Sequence, residues 1–297
     1  MKCVVGIDLE RRSASAIALL GSLKCAVEET TLLHVTEPLQ LALPYSAYGM
    51  FTETDEIHET LRQAGQTALE EATQVANEFN LHPKSDLCDG FPAQSLTDCA
   101  DEIGATLIAV TSTVRSSIGA VFGGSIARGL AITAKQSILV ARPDMPPDGP
   151  IRAVFATDQS PYCAECLKLL VQMAPKGIAH LTLLTVYERA KHESLLSLVR
   201  GVNTQATLED AGRALADKGN ELAQWLTDNG IQTASKVVAG DVEETIHKVM
   251  ADTNADLLIV GSQGHGFMDR ILVGSTSLHA VIGERFPVLL LRPIVAG

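Results

Sequence analysis

The sequence predicts an α/β protein built from two copies of an open, mainly parallel five-stranded sheet with helices on both faces. Three observations lead to this prediction: the chain length, an alternation of short apolar runs with amphipathic stretches, and a repeat along the chain. The 297 residues exceed the ~100–200 of a typical domain, so two domains are expected. Strands that alternate with helices indicate a parallel sheet covered on both sides.

Ten short runs rich in apolar and β-branched residues are predicted to be buried strands. They are Cys3–Ile7, Thr31–Val35, Lys84–Cys88, Leu107–Val110, Ile138–Ala141, Ala153–Ala156, Leu181–Val186, Ala234–Val238, Leu257–Val260 and Val288–Leu291. Amphipathic stretches such as Leu61–Phe79 and Leu208–Asp228 are predicted to be helices between them. In such sheets ligands bind at the carboxyl ends of strands, where the strand order reverses.

The two halves of the chain repeat one another at a constant offset of 150 residues. Five blocks recur: Asp8 and Asp158 after a strand, Gly90 and Gly240, Leu107–Val110 and Leu257–Val260, Gly124-Ser125 and Gly274-Ser275, and Ile138–Pro143 and Val288–Pro293. One offset for five blocks indicates a duplication. We therefore predict a first domain at 1–143, a turn-rich linker at 144–150 and a second domain at 151–297.

Composition limits the classes of function. The net charge of −12 argues against nonspecific nucleic-acid binding, although backbone N–H groups could still form a local anion pocket. No apolar run approaches the ~18 residues of a membrane span. Asp8 comes too early for a secretory signal peptide, so a cytoplasmic chain without membrane contact is expected. The six scattered cysteines are expected to be reduced thiols.

A glycine-rich loop follows the fourth strand of the second half. Gly261 and Gly264 lack Cβ atoms, which lets the backbone turn sharply and lets a ligand approach closely. Gly274 then opens a predicted helix, whose free N–H groups and positive dipole end favour an anion. Hydroxyl donors follow at Ser275, Thr276 and Ser277. These features predict a phosphate site without a Walker lysine, although the glycines could simply shape a turn and a helix start.

The spacing Gly-x2-Gly-x9-Gly-Ser, set between Leu257–Val260 and the last strand, resembles the ATP-binding subclass of the universal stress protein family in its tandem form. The resemblance covers essentially the whole chain. It implies the adenine-nucleotide α-hydrolase-like fold and ATP as ligand, which Mg2+ could accompany. The resemblance also implies that Ala156, Thr157 and Asp158 face the nucleoside and that Val186 faces the adenine. It places Gly261 and Gly264 along the ribose and phosphates. The phosphates are expected to contact Gly274, Ser275 and Thr276. His265 lies in the same loop and could contact phosphate or ribose.

The first half departs from this pattern. Thr111 and Val114 stand where the second half has Gly261 and Gly264, and branched side chains there crowd the backbone and disfavour positive φ. We expect the first half to bind ATP weakly or not at all. A weak second nucleotide site formed by Asp8, Val35, Gly124 and Ser125 is the alternative.

Two residue groups have alternative interpretations. Cys163 and Cys166 form a C-x-x-C at a predicted helix start, where a lowered thiol pKa would suit redox chemistry; two packed thiols are the alternative. Asp158 could bind a ribose hydroxyl, help place a divalent ion, or cap the following helix.

The sequence favours a regulatory protein of the stress response over a metabolic enzyme. It contains neither a nucleophile elbow nor an evident water-activating base, so ATP hydrolysis would at most be slow. A protein-interaction scaffold without nucleotide and a slow ATP hydrolase are the alternatives. The last strand of each half is a predicted edge strand, which invites pairing. In the family these strands pair across a two-fold axis, so the tandem could pair them within one chain; a homodimer of the whole chain stays open.

Overall fold

The computed structural model describes residues 1–38, 54–113, 125–143, 149–187, 204–263 and 273–293. Within these ranges the chain forms ten strands: β1 (Lys2–Ile7), β2 (Glu29–Thr36), β3 (Lys84–Asp89), β4 (Leu107–Thr111), β5 (Ser137–Ala141), β6 (Ile151–Thr157), β7 (Ile178–Tyr187), β8 (Thr233–Ala239), β9 (Leu257–Gly261) and β10 (Val288–Leu291). Each lies where a strand was predicted. The predicted fold class is confirmed. Most of the predicted linker, residues 144–148, lies outside the described ranges.

Eight helices connect these strands within the described ranges. They are α1 (Ala14–Leu23), α2 (Thr54–Glu78), α3 (Pro92–Ile103), α4 (Ser125–Thr133), α5 (Pro161–Met173), α6 (Thr204–Asp228), α7 (Val242–Asp252) and α8 (Ser275–Gly283). None of these helices is long and apolar enough to cross a membrane.

The strands form one ten-stranded sheet in the order β3-β2-β1-β4-β5-β10-β9-β6-β7-β8. Neighbouring strands within each half run parallel. The order reverses between β1 and β4 in the first half, and between β6 and β9 in the second. β5 and β10 run antiparallel, with Leu139 opposite Leu289, and join the halves. The two five-stranded sheets are thus halves of a continuous sheet.

Both faces of the sheet are buried under helices. Helices α1, α2, α5 and α6 pack on one face, and α3, α4, α7 and α8 pack on the other. Successive strand residues such as Val4 and Val5 point to opposite faces, yet both are fully buried. This two-sided burial explains why the strands read as continuous apolar runs instead of alternating patterns.

Two buried arginines join the halves beside β5 and β10. Arg142 Nη2 donates to the carbonyl of Val281, near the end of α8, at 2.8 Å. Arg292, 150 residues later, donates in the same way to the carbonyls of Ala131 and Ala134 at the end of α4. A cation at a helix C-terminus is stabilised by the helix dipole. Each half therefore places an arginine against the last turn of a helix from the other half.

A second contact joins the halves on the opposite face of the sheet. The N–H of Gly177 donates to the carbonyl of Leu23 at 2.9 Å, and the N–H of Ala26 donates to the carbonyl of Met173 at 3.3 Å. A Cβ atom at position 177 would overlap the carbonyl oxygen of Ser22. Glycine is therefore required for this close approach of the two backbones.

Candidate functional site

The second half places its predicted site residues where the strand order reverses. β6 and β9 are adjacent and parallel there, with Ala156 opposite Val260. Asp158 follows directly after β6. Open parallel sheets bind ligands in the crevice at this point, outside the carboxyl ends of the strands.

A hydrogen-bonded turn connects β6 to α5. Thr157 Oγ1 accepts the N–H of Gln159, and Asp158 Oδ1 accepts the N–H of Ser160, both at 2.9 Å. Ser160 Oγ in turn accepts the N–H of Cys163 at 3.2 Å and is the N-cap of α5. The idea that Asp158 caps this helix is therefore wrong: Asp158 closes the turn that precedes the cap.

The start of α8 is fastened to the carboxyl end of β9. The N–H of Gly274 donates to the carbonyl of Ser262 at 2.8 Å. Ser275 is exposed and Thr276 half-buried, so the first turn of α8 presents N–H groups that have no acceptor within the helix. Ser277 is buried, and its hydroxyl donates to the carbonyl of Gly261 at 2.6 Å. Ser275 and Thr276, but not Ser277, thus offer hydroxyl donors to a ligand.

Gly261 has a packing role that the sequence pattern did not indicate. A Cβ atom there would lie 3.1 Å from the sulfur of Cys166 and 3.3 Å from the ring of Tyr162. The Tyr162 hydroxyl is 2.6 Å from Ser262 Oγ, and burial raises the pKa of Tyr162 to about 12. The missing side chain at Gly261 therefore lets α5 pack closely against the end of β9.

The remaining predicted residues of the second half fall in two groups. Val186 is half-buried near the end of β7, opposite Val238, and packs with Ala156 against the same apolar cluster. Gly264 and His265 lie outside the described residues, as does Gly124 of the first half.

The C-x-x-C pair lies in the core. Cys163 and Cys166 are buried, and burial raises the pKa of both thiols; the nearby Asp158 carboxylate raises the pKa of each further. A redox dithiol at a helix start would have a lowered pKa. The packing interpretation of these cysteines is therefore favoured. Within the described ranges, no group of three His, Cys, Asp or Glu side chains is placed to hold a metal ion.

The corresponding point of the first half contains a cavity of about 310 Å³, called here the first-half cavity. It lies at the carboxyl ends of β1, β2 and β4. The sequence pattern singled out Asp8 and Val35, which line it, and Ser125, which is exposed at the start of α4. It missed further lining residues: Leu9, Thr36, Leu61, Leu96 and Ile126. Two of these residues differ in polarity between the halves: Leu9 and Ile126 are apolar where the second half has Gln159 and Thr276. This difference could have indicated them from the sequence.

Thr111 has a different role from the glycine that it replaces. Its hydroxyl donates to the carbonyl of Arg12 at 2.9 Å. The N–H of Arg12 donates to Asp8 Oδ1, also at 2.9 Å. The end of β4 is thereby tied to the turn after β1, at the edge of the first-half cavity.

These features define a duplicated α/β protein whose strand order reverses once in each half, with a cavity at that point in the first half. The model of the universal stress protein family matches residues 1–142 and again 152–292. The chain therefore belongs to the universal stress protein family, in its tandem two-domain form.

Solved structures support the fold over nearly the whole chain. A universal stress protein from Archaeoglobus fulgidus DSM 4304 is 18% identical with a TM-score of 0.69, and the match covers 98% of this chain and 96% of that one. A protein of unknown function from Pseudomonas aeruginosa PAO1 is 14% identical with a TM-score of 0.59, over 98% of this chain and 92% of that one. The sequence matches none of the curated proteins with which it was compared.

Proposed function

We propose that the second half binds ATP and that the nucleotide gives the chain a regulatory role in a stress response. The observation that carries this proposal is the first turn of α8, fastened beside the end of β9 with Ser275 and Thr276 accessible. Free N–H groups at a helix start and the helix dipole together favour a phosphate.

The rest of the crevice suits a nucleoside. Asp158, at the end of β6, can accept a hydrogen bond from a ribose hydroxyl, and its carboxylate could also help place Mg2+ with the phosphates. Ala156 and Val186 supply apolar surface for the adenine ring. Binding of ATP would shift the chain between states through a difference in their affinity for the nucleotide.

The second half fits a phosphate better than the first. Thr276, at the start of α8, is polar and half-buried where the first half has the exposed Ile126. Both halves have an aspartate after the first strand, but Glu37 also lines the first-half cavity, where the second half has Tyr187, and this additional carboxylate would repel a phosphate. ATP is therefore assigned to the second half.

A matched pair of substitutions tests this assignment. Ser275→Asp places a carboxylate in the first turn of α8, and Ser125→Asp does the same at the equivalent position of α4. A carboxylate at a helix start favours folding, by about 0.3–1 kcal/mol, so both variants should fold. We expect calorimetry to show that Ser275→Asp weakens ATP binding by about tenfold or more, since one tenfold step corresponds to only about 1.4 kcal/mol of repulsion. Ser125→Asp should bind ATP like the wild type.

Two calorimetric results would contradict the proposal. One is the absence of binding heat when ATP is added to the wild-type chain. The other is an equal loss of affinity in both variants, which would show that the effect does not come from the second-half crevice.

A further inference from the structure

The first-half cavity has the size and lining of a small-molecule site. Its volume of about 310 Å³ falls at the lower end of the ~300–1,000 Å³ that ligand sites occupy. Leu33, Val35, Leu96 and Val110 form an apolar wall between the sheet and helix α3. A compact molecule with an apolar body would remove this surface from water.

A buried hydroxyl marks the polar end of this cavity. Thr36 lines the cavity and is only 3% exposed, yet within the described part of the chain its Oγ1 meets no hydrogen-bond partner. Most buried polar side-chain atoms in proteins are hydrogen-bonded, so this hydroxyl calls for a partner. Asp8 also lines the cavity, and one of its carboxylate oxygens accepts the N–H of Arg12. A ligand hydroxyl could accept a hydrogen bond from Thr36 and donate one to Asp8.

The rim of the cavity is unusually apolar for a solvent-facing surface. Leu9 and Ile126 line the cavity and are 41% and 36% exposed. Phe91, 59% exposed, precedes a lining proline, and Ile57 lies one helical turn before the lining Leu61. The counterparts of the four exposed residues in the second half are all polar: Gln159, Thr276, Asp241 and Thr207. Exposed apolar patches commonly mark binding sites, and here two of the four exposed residues, Leu9 and Ile126, line a cavity.

The charges around the cavity disfavour an anion. Asp8 and Glu37 line it, and among the described residues no lysine or arginine does. The two arginines of the adjacent turn, Arg11 and Arg12, form ion pairs with Glu71 and Glu10. A phosphate entering the cavity would meet carboxylates without a compensating cation.

We propose that the first-half cavity binds a compact, uncharged, largely apolar molecule whose hydroxyl group meets Thr36 and Asp8. The two halves of the chain would then hold different ligand classes at equivalent points of the sheet. This inference goes beyond the proposed function and does not depend on ATP binding in the second half.

A pair of aromatic probes with the same ring system tests the ligand class. 2-Naphthol has an apolar body and one hydroxyl, and 2-naphthyl phosphate has the same body with an anionic group. We expect the full chain to bind 2-naphthol saturably, with one site per chain, in a titration followed by the probe's fluorescence. The phosphate ester should bind at least about tenfold more weakly. Equal or tighter binding of the ester, displacement of 2-naphthol by ATP, or a signal that does not saturate would each overturn the proposal.

Three variants locate the site. Thr36→Val removes the hydroxyl at nearly constant shape and should weaken 2-naphthol binding about three- to tenfold, while thermal stability holds or rises because an unbonded buried hydroxyl is lost. Ile126→Thr should weaken binding, whereas Ile132→Thr, at an exposed position of the same helix outside the cavity lining, should not. Unchanged binding in Thr36→Val, or equal losses in the two isoleucine variants, would refute the assignment. ATP titrations of the same samples should match the wild type, which separates this proposal from the one for the second half.

Discussion

The substitution Arg142→Met tests whether the buried arginines hold the two halves together. Arg142 is buried, and it donates to the carbonyls of Val281 at 2.8 Å, Ser112 at 3.2 Å and Phe286 at 3.3 Å. Methionine can fill much of the space of the arginine stem but cannot donate. Arg142 also donates to the carbonyl of Ala280 at 3.5 Å, so the variant leaves four carbonyl groups without this donor beside the junction between the halves.

The size of the effect follows from these bonds and from the cost of burying the charge. A hydrogen bond to a charged group contributes about 1.5–3 kcal/mol. The bond to Val281 is the shortest of the four, at 2.8 Å, and the others are longer. Burial of the guanidinium costs free energy, which is why the pKa of Arg142 is lowered to about 10. Removing the charge therefore offsets part of the stability lost with the hydrogen bonds. We expect a net loss of about 2–4 kcal/mol in the free energy of unfolding.

Urea unfolding followed by two signals measures this loss and its location. Trp225 is the only tryptophan and reports on the second half, whereas far-ultraviolet circular dichroism reports on both halves. The two transitions should coincide in the wild type and separate in Arg142→Met, because the halves lose part of their coupling. The control is Arg213→Met, which removes an exposed arginine paired with Asp210 and should change stability by no more than about 0.5 kcal/mol. An Arg142→Met protein as stable as this control, with coincident transitions, would refute the reasoning.

Two further predictions concern backbone packing and thiol chemistry. Gly177→Ala should lower the free energy of unfolding by about 1–3 kcal/mol because the added Cβ overlaps the Ser22 carbonyl, as measured by urea titration. Gly212→Ala, in the interior of α6, should instead be neutral or stabilising, and equal losses in both variants would contradict this account. Cys163 and Cys166 should resist iodoacetamide at pH 8 in the folded chain and react fully in urea, because burial raises the pKa of both thiols and keeps them protonated. Mass spectrometry of the labelled peptides measures this difference. Prompt labelling of both cysteines in the folded chain would contradict the prediction.

The strands and their order along the chain were predictable because their signal is local. Runs such as Leu107–Val110 and Leu257–Val260 are apolar on every residue, which only a strand buried on both faces requires. The duplication was visible for the same reason, since equivalent positions face equivalent surroundings. The motif after β9 pointed to the family, which the match over both halves confirms.

The roles of individual site residues were less predictable because they depend on contacts between distant segments. The pattern predicts a place for Gly261 beside a ligand. The fold adds a second reason for this glycine, because its missing side chain makes room for Tyr162 and Cys166, about 100 residues earlier in the chain. Ser277 was expected to offer a hydroxyl to phosphate, but that hydroxyl is bonded to a strand carbonyl. Neither contact produces a periodic pattern of residues from which the sequence could predict it.

The sequence by itself determined the α/β class, the two-fold repetition and the strand positions, because each follows from burial patterns within a few neighbouring residues. Only the tertiary structure decided how the halves join and where cavities lie. Arg142 and Arg292 each contact carbonyls roughly 140 to 160 residues away, which become neighbours only once β5 and β10 pair. The first-half cavity likewise exists because β1, β2, β4 and helices α3 and α4 converge at one edge of the sheet, and local sequence patterns do not specify the space left between them.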